Sequence, residues 1–126
     1  MNQPPRVLFA IRLSMIAGVT MLAVMSAVLR NRGMAALPPG ASPQLLYAMA
    51  FAASTLALGA LLAMRGRLEG ADAARVAKLS IYAWAVGEFA AIAGIACYLL
   101  TGASGAAAPG LVVFALALRL FTIPGT

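Results

Sequence analysis

Ionisable residues are few in this chain, and one of them lies within an apolar segment. The 126 residues include three Asp/Glu, nine Lys/Arg, no His and one Cys. Glu88 is the one charged residue in the run from residue 79 to residue 100. A carboxyl group buried without a partner favours its protonated form, which suits reversible binding of a proton or a cation. A carboxyl group beside a cation stays ionised and acts as a structural lock instead.

Two arginines are candidate charge partners for Glu88. Arg12 lies about five residues into the first apolar segment, and Arg119 lies near the end of the last one. By helical rise, each lies about 6 to 8 Å from Glu88 along the membrane normal, which a long guanidinium side chain nearly spans. The alternative for both arginines is to extend toward the lipid headgroups.

Other kinds of chemistry have little support in the sequence. His is absent and Cys97 stands alone, so no set of residues is typical of a zinc, copper or haem site. No nucleophilic side chain has a base near it, and no glycine-rich phosphate loop follows a strand. We therefore expect no catalytic residues, no metal and no cofactor, and we do not expect an enzyme. Cys97 is interpreted as a packing residue.

The elements that must position Glu88 are apolar helices. Apolar residues make up 63% of the chain and charged residues 10%, whereas a soluble domain has about a quarter of its residues charged. In hydrocarbon, helices satisfy every backbone group internally, and no segment here alternates with period two. The sequence therefore predicts an all-α, polytopic membrane protein with one four-helix domain over residues 1–126. Its transmembrane helices are predicted at about residues 7–29, 45–64, 76–100 and 106–123.

Capping and turn residues mark the ends of these helices. Ser42 followed by Pro43 predicts the start of the second helix, and Asp72 predicts that the third helix begins before the bilayer. Gly33 predicts the end of the first helix. Pro109 is expected in the first turn of the fourth helix or at a kink within it.

The distribution of basic residues predicts the orientation. Lys and Arg in short loops favour the cytoplasmic side of a membrane. With a cytoplasmic N-terminus, seven basic residues fall on that side and two, Arg30 and Arg32, on the other. Both termini are therefore expected in the cytoplasm, in a bacterial-type inner (plasma) membrane crossed several times. The seven cytoplasmic residues are Arg6, Arg12, Arg65, Arg67, Arg75, Lys78 and Arg119. Because these charges are scattered, the expected partner is the lipid bilayer and not nucleic acid.

The depth of Glu88 follows from its place in the third helix. It lies nine residues after Leu79, which corresponds to roughly 14 Å and to the middle of a hydrocarbon core about 30 Å thick. An acid at that depth costs about 2.5 to 3.5 kcal/mol on insertion scales. We therefore expect neighbouring protein to hide the carboxyl group from lipid.

Small residues on the third helix form a strip where another helix can approach closely. The strip comprises Ala83, Gly87, Ala90 or Ala91, and Gly94. The approaching helix belongs either to the same chain or to another one. A homo-oligomer and a larger membrane complex therefore both stay open.

The segment around Glu88 resembles the second helix of the rotary ATP synthase proteolipid, or c-subunit. In Gly87-Glu88-Phe89-Ala90-Ala91-Ile92-Ala93-Gly94-Ile95, an Ile and a Gly follow the acid by four and six positions, as in that family. The likeness covers about residues 45–100 and implies that Glu88 carries a proton or a cation. Arg67-Leu68-Glu69 stands where the family has its Arg-Gln-Pro loop motif. The small multidrug exporters are also similar in size, with four helices and one membrane Glu, but their acid lies in the first helix.

The sequence leaves three functions open. The protein is expected to be a scaffold or accessory subunit in which Glu88 pairs or packs between helices. The first alternative is proton or cation translocation through Glu88 in the manner of the proteolipid. The second alternative is a transporter similar to the small multidrug exporters.

Overall fold

The computed structural model describes residues 5–33 and 37–121, and this part of the chain contains helices and no strand. The prediction of an all-α fold with four main helices is therefore confirmed. The helices are α1 (Pro5–Asn31), α2 (Pro43–Gly66), α3 (Ala73–Thr101) and α4 (Ala108–Leu120), with one turn of 3₁₀-helix at Ser104–Ala106.

The predicted capping residues begin two of the helices. The side chain of Ser42 accepts a hydrogen bond from the Leu45 amide at 3.4 Å, and Pro43 occupies the first turn of α2. The side chain of Asp72 accepts from the Arg75 amide at 2.8 Å, so α3 begins three residues before the predicted start at residue 76. Local side-chain bonds to otherwise unpaired amides therefore fix both starts.

Three of the four helices are long and apolar enough to cross a membrane, namely α1, α2 and α3. The fourth, α4, has 13 residues, which corresponds to about 20 Å, against a hydrocarbon core about 30 Å thick. Pro109 lies in its first turn, as predicted. The predicted end of this helix at residue 123 lies outside the described residues.

Helix α3 is the centre of the bundle, because α1, α2 and α4 all pack against it. Arg12 of α1 lies beside Trp84 in the first half of α3, and Arg30 lies beside Leu99 near its end, so α1 runs parallel to α3. Gly87 lies beside Ala117 whereas Gly94, further along α3, lies beside Ala107, so α4 runs antiparallel to α3. The start of α1 and the end of α4 therefore lie at the same end of the bundle, which we call the Arg12 end.

The predicted strip of small residues forms the contact between α3 and α4. Ala83 and Ala91 are fully buried. A Cβ atom added at Gly87 would lie 2.8 Å from the Cβ of Ala117, and one added at Gly94 would lie 3.2 Å from the backbone of Ala106. The absence of a side chain at Gly87 therefore allows α4 to pack closely on α3, and its absence at Gly94 makes room for the 3₁₀ turn and the residue that precedes α4.

Large apolar side chains cover much of the outer surface of the bundle. Leu56, Phe51 and Met21 are 75%, 66% and 64% exposed, respectively. A soluble monomer rarely exposes a continuous apolar surface of this kind. The surface is compatible with contact to lipid acyl chains.

Candidate functional site

A cluster of polar contacts joins three helices at the Arg12 end. Nη2 of Arg12 donates a hydrogen bond to the Leu118 carbonyl oxygen at 3.0 Å. The Cζ atom of Arg12 lies 6.0 Å from the centroid of the Trp84 ring. Leu118 belongs to the last turn of α4, where carbonyl groups have no partner within the helix and a cation is favourable. Arg12 therefore ties α1 to α4 across the face of Trp84.

Trp84 completes this cluster from the side of α3. The side chain is fully buried, and its Nε1 donates to the Phe121 carbonyl oxygen at 2.9 Å. Two carbonyl groups at the end of α4 are thus bound by side chains from α1 and α3. These two bonds cannot be predicted from residue types, since their acceptors are backbone atoms that any residue carries.

A second arginine of α1 acts in the same way at the opposite end of the bundle. Nη1 of Arg30 donates to the carbonyl oxygens of Leu99 and Leu100 at 3.3 and 3.2 Å. Helix α3 ends directly afterwards at Gly102, whose φ of +78° favours glycine. Arg12 and Arg30 are 18 residues apart in α1, or about 27 Å, which is close to the thickness of a hydrocarbon core. The separation of the two arginines is therefore compatible with polar boundaries on the two sides of a bilayer.

Glu88 lies one helical turn beyond Trp84 on the same side of α3 and is half-buried. By helical rise it is about 6 Å from the level of Trp84 and about 21 Å from the level of Gly102. The predicted depth of about 14 Å counts from Leu79 as the membrane boundary and stays a prediction, while Arg12 lies at the level of Trp84.

Glu88 makes no hydrogen bond and no ion pair with any residue that the structure describes. The guanidinium group of Arg12, one of its two predicted partners, is bonded to the Leu118 carbonyl group instead. A backbone acceptor at a helix end thus takes the place of the expected carboxylate. The structure therefore does not contain the ion pair that was predicted between Arg12 and Glu88.

Arg119, the other predicted partner, lies on the wrong face of α4 to reach Glu88. Ala117 packs against Gly87 of α3, and a residue two positions later is rotated by about 200° around the helix. Arg119 is accordingly exposed, and it too makes no hydrogen bond or ion pair within the described part of the chain. Arg119 therefore points away from α3, whereas Glu88 lies about 100° around α3 from the contact with α4.

Few other polar groups occur inside the bundle. The hydroxyl groups of Ser54 and Ser80 are buried and have no partner in the described structure. Cys97 is buried as a free thiol. Residues 5–33 and 37–121 contain no group of three His, Cys, Asp or Glu side chains that could hold a metal ion.

An open cleft of about 720 Å³ lies along the first three turns of α3. Arg75, Lys78 and Tyr82 are among its lining residues, and Nζ of Lys78 lies 5.9 Å from the centroid of the Tyr82 ring. Basic and aromatic side chains of this kind are typical of the boundary between a bilayer and water.

No protein-family model matches this chain, and no match is found among curated proteins or among solved structures. The resemblance to the c-subunit hairpin therefore stays a prediction from the sequence. The functional argument rests on the geometry around Glu88.

Proposed function

We propose that this chain is a small integral membrane protein that serves as a scaffold or accessory subunit, and that Glu88 meets a second polypeptide chain at the surface of the bundle. One observation carries this proposal. Glu88 is a half-buried carboxyl group within an apolar helix, and the described part of the chain offers it no partner.

The surroundings of Glu88 favour a protein partner over lipid. The neighbouring side chains Phe89 and Ile92 are 63% and 42% exposed, and Ala85 is exposed as well. A carboxylate among such residues would face acyl chains, at a cost that reaches about 2.5 to 3.5 kcal/mol at the centre of a bilayer. A second helix with a hydrogen-bond donor at the same depth removes that cost and also covers the apolar residues.

The alternative function is reversible binding of a proton or a cation at Glu88, for translocation or for exporter-like transport. The lack of a partner for the carboxyl group within the described residues favours this alternative too. Translocation also requires a polar path across the membrane. Among the residues whose burial is described, the buried polar side chains are Ser26, Ser54 and Ser80, and none of them is charged. The scaffold function therefore has the stronger support.

Labelling with a hydrophobic carbodiimide distinguishes the two functions, since this reagent modifies protonated carboxyl groups within membranes. In native membranes we expect little labelling of Glu88 at any pH, and we expect labelling to appear once detergent has separated the chains. Glu88→Gln, which lacks the carboxyl group, is the control that assigns the label to Glu88. Rapid labelling in native membranes that declines as the pH is raised would overturn the scaffold function and support a proton site.

The stability of Glu88→Gln is a second test. Because Glu88 has no partner within the described chain, we expect the free energy of unfolding of the separated protein to change by less than about 0.5 kcal/mol. A loss of several kcal/mol would indicate that the carboxyl group acts within its own chain.

A further inference from the structure

Two exposed faces of the bundle have the residue spacing of helix-packing surfaces. The open face of α3 consists of Tyr82, Ala85, Phe89, Ile92 and Ala96, all exposed, with Glu88 at its edge. The outer face of α4 consists of Ala108, Val112, Ala115 and Arg119, also exposed. Both sets recur at intervals of three and four residues, which is the spacing of residues at a seam between two helices.

The two faces are complementary in size. The open face of α3 carries the large side chains of Phe89 and Ile92, whereas the outer face of α4 presents the methyl groups of Ala108 and Ala115. Small residues on one helix allow a second helix to approach closely within a membrane. Large side chains from α3 can therefore pack between the small residues of α4.

Glu88 and Arg119 also lie at nearly the same depth. Gly87 and Ala117 are level with each other, because a Cβ at Gly87 would lie 2.8 Å from that of Ala117. Glu88 is one residue beyond Gly87 toward the end of α3, and Arg119 is two residues beyond Ala117 in the opposite direction. Their axial separation is therefore about 4.5 Å, which a guanidinium side chain spans.

The geometry excludes pairing of these two residues within one copy but permits it between copies. The open face of α3 lies opposite the face that packs on α4, since Phe89 is two residues, or about 200°, from Gly87. Copies inserted in the same direction are related by rotation about the membrane normal, and that rotation leaves every residue at its depth. Arg119 of one copy is thus level with Glu88 of the next.

We propose, building on the scaffold function above, that the partner of Glu88 is a second copy of this chain. The outer face of α4 in one copy packs on the open face of α3 in its neighbour, and Arg119 of the first forms an ion pair with Glu88 of the second. Because the two faces differ, the contact is head-to-tail, and in a dimer one copy keeps a free α3 face while the other keeps a free α4 face. Two residues that lack a partner in the described chain thereby receive one.

Charge reversal in trans tests this ion pair. Glu88→Arg and Arg119→Glu each place like charges at the contact, so each variant alone is expected to associate about tenfold more weakly in liposomes than the natural chain. In a mixture of the two variants, every contact between unlike chains again brings opposite charges together, and association between the two variants is expected to return. The measurement is energy transfer between two populations of fluorescently labelled full-length chains over a range of protein-to-lipid ratios.

Arg32→Glu is the matched control, because Arg32 is exposed at the opposite end of the bundle. It changes the net charge by the same amount as Arg119→Glu and is expected to leave association unchanged. If Arg32→Glu weakens association as much as Arg119→Glu does, or if association does not recover in the mixture of variants, the proposed ion pair is refuted.

Disulfide cross-linking tests the contact without altering either charge. In a Cys97→Ala background, a chain with Phe89→Cys and a chain with Ala115→Cys are expected to cross-link in the membrane, since these positions lie at nearly the same depth on the two faces. Cross-linking of the Phe89→Cys chain with itself would instead indicate a two-fold symmetric contact and would contradict the proposal.

The outcomes separate the second copy from the broader scaffold function. Chains that stay monomeric at every lipid ratio, while Glu88 in native membranes resists the carbodiimide, would refute the second copy and leave the scaffold function standing. Monomeric chains in which Glu88 reacts freely with the carbodiimide would refute both the second copy and the scaffold function.

Discussion

Replacing Gly110 with alanine is expected to separate α4 from α3. Gly110 lies in the first turn of α4, where the backbones of the two helices come closest. An added Cβ would overlap the carbonyl oxygen of Ala90, 2.8 Å from its carbon, and would lie 3.1 Å from the Cα of Ala91. These are backbone atoms of a helix, so no rotation of a side chain can relieve the overlap.

The magnitude follows from two opposing effects. Overpacking of a close contact costs typically about 1 to 3 kcal/mol. Alanine in place of glycine within a helix regains up to about 1 kcal/mol. A shift of α4 also stretches the bond from Trp84 to Phe121, now 2.9 Å, and the bond from Arg12 to Leu118, now 3.0 Å. We therefore expect a net loss of about 1 to 2 kcal/mol in the free energy of unfolding.

The assay is unfolding of the purified protein in micelles, followed by tryptophan fluorescence. Trp84 is the only tryptophan, and its indole N–H is bonded at the end of α4, so its emission reports on the contact between α3 and α4. Gly59→Ala is the matched control, because a Cβ at Gly59 would meet nothing within 4 Å. This control is expected to keep or slightly raise the stability.

Equal stability of the two variants, with unchanged Trp84 emission, would refute the close approach of α4 to α3. A loss of stability in Gly59→Ala alone would refute the reasoning as well, since it would place the tight contact on α2 instead.

The remaining predictions concern the two arginines of α1. Arg12→Gln is expected to cost about 1 to 2 kcal/mol of unfolding free energy and to shift the Trp84 emission, because it removes the bond to Leu118 and the cation above the ring. A variant with natural stability and emission would argue against this cluster. Arg30→Gln is expected to raise amide hydrogen exchange about tenfold in the last turn of α3, whereas the exposed Arg32→Gln leaves it unchanged. Equal exchange in the two variants would contradict a specific role for Arg30.

Much of the fold follows from local features of the sequence. Ser42 and Asp72 begin helices because their side chains bind nearby amides, and such bonds depend on only a few consecutive residues. The strip through Gly87 and Gly94 was recognisable for the same reason, since small residues at helical spacing are visible in one segment. The sequence left open which helix the strip contacts, and the structure places α4 there.

The partners of the charged residues could not be predicted in this way. For Arg12 the sequence predicts a carboxylate partner or contact with headgroups, and for Arg30 it predicts only a side of the membrane, yet both donate to backbone carbonyl groups at helix ends. Every residue has such a carbonyl, so no residue type signals the acceptor.

The hydrogen bonds that link α1 to α3 and α4 have a consequence for biosynthesis. The acceptor of Arg12 lies 106 residues further along the chain, and the first acceptor of Arg30 lies 69 residues further along. A ribosome releases α1 first, so the segment enters the bilayer long before either acceptor has been synthesised. Of the four helices described, α1 is thus made first and is among the last to acquire its hydrogen bonds to other helices.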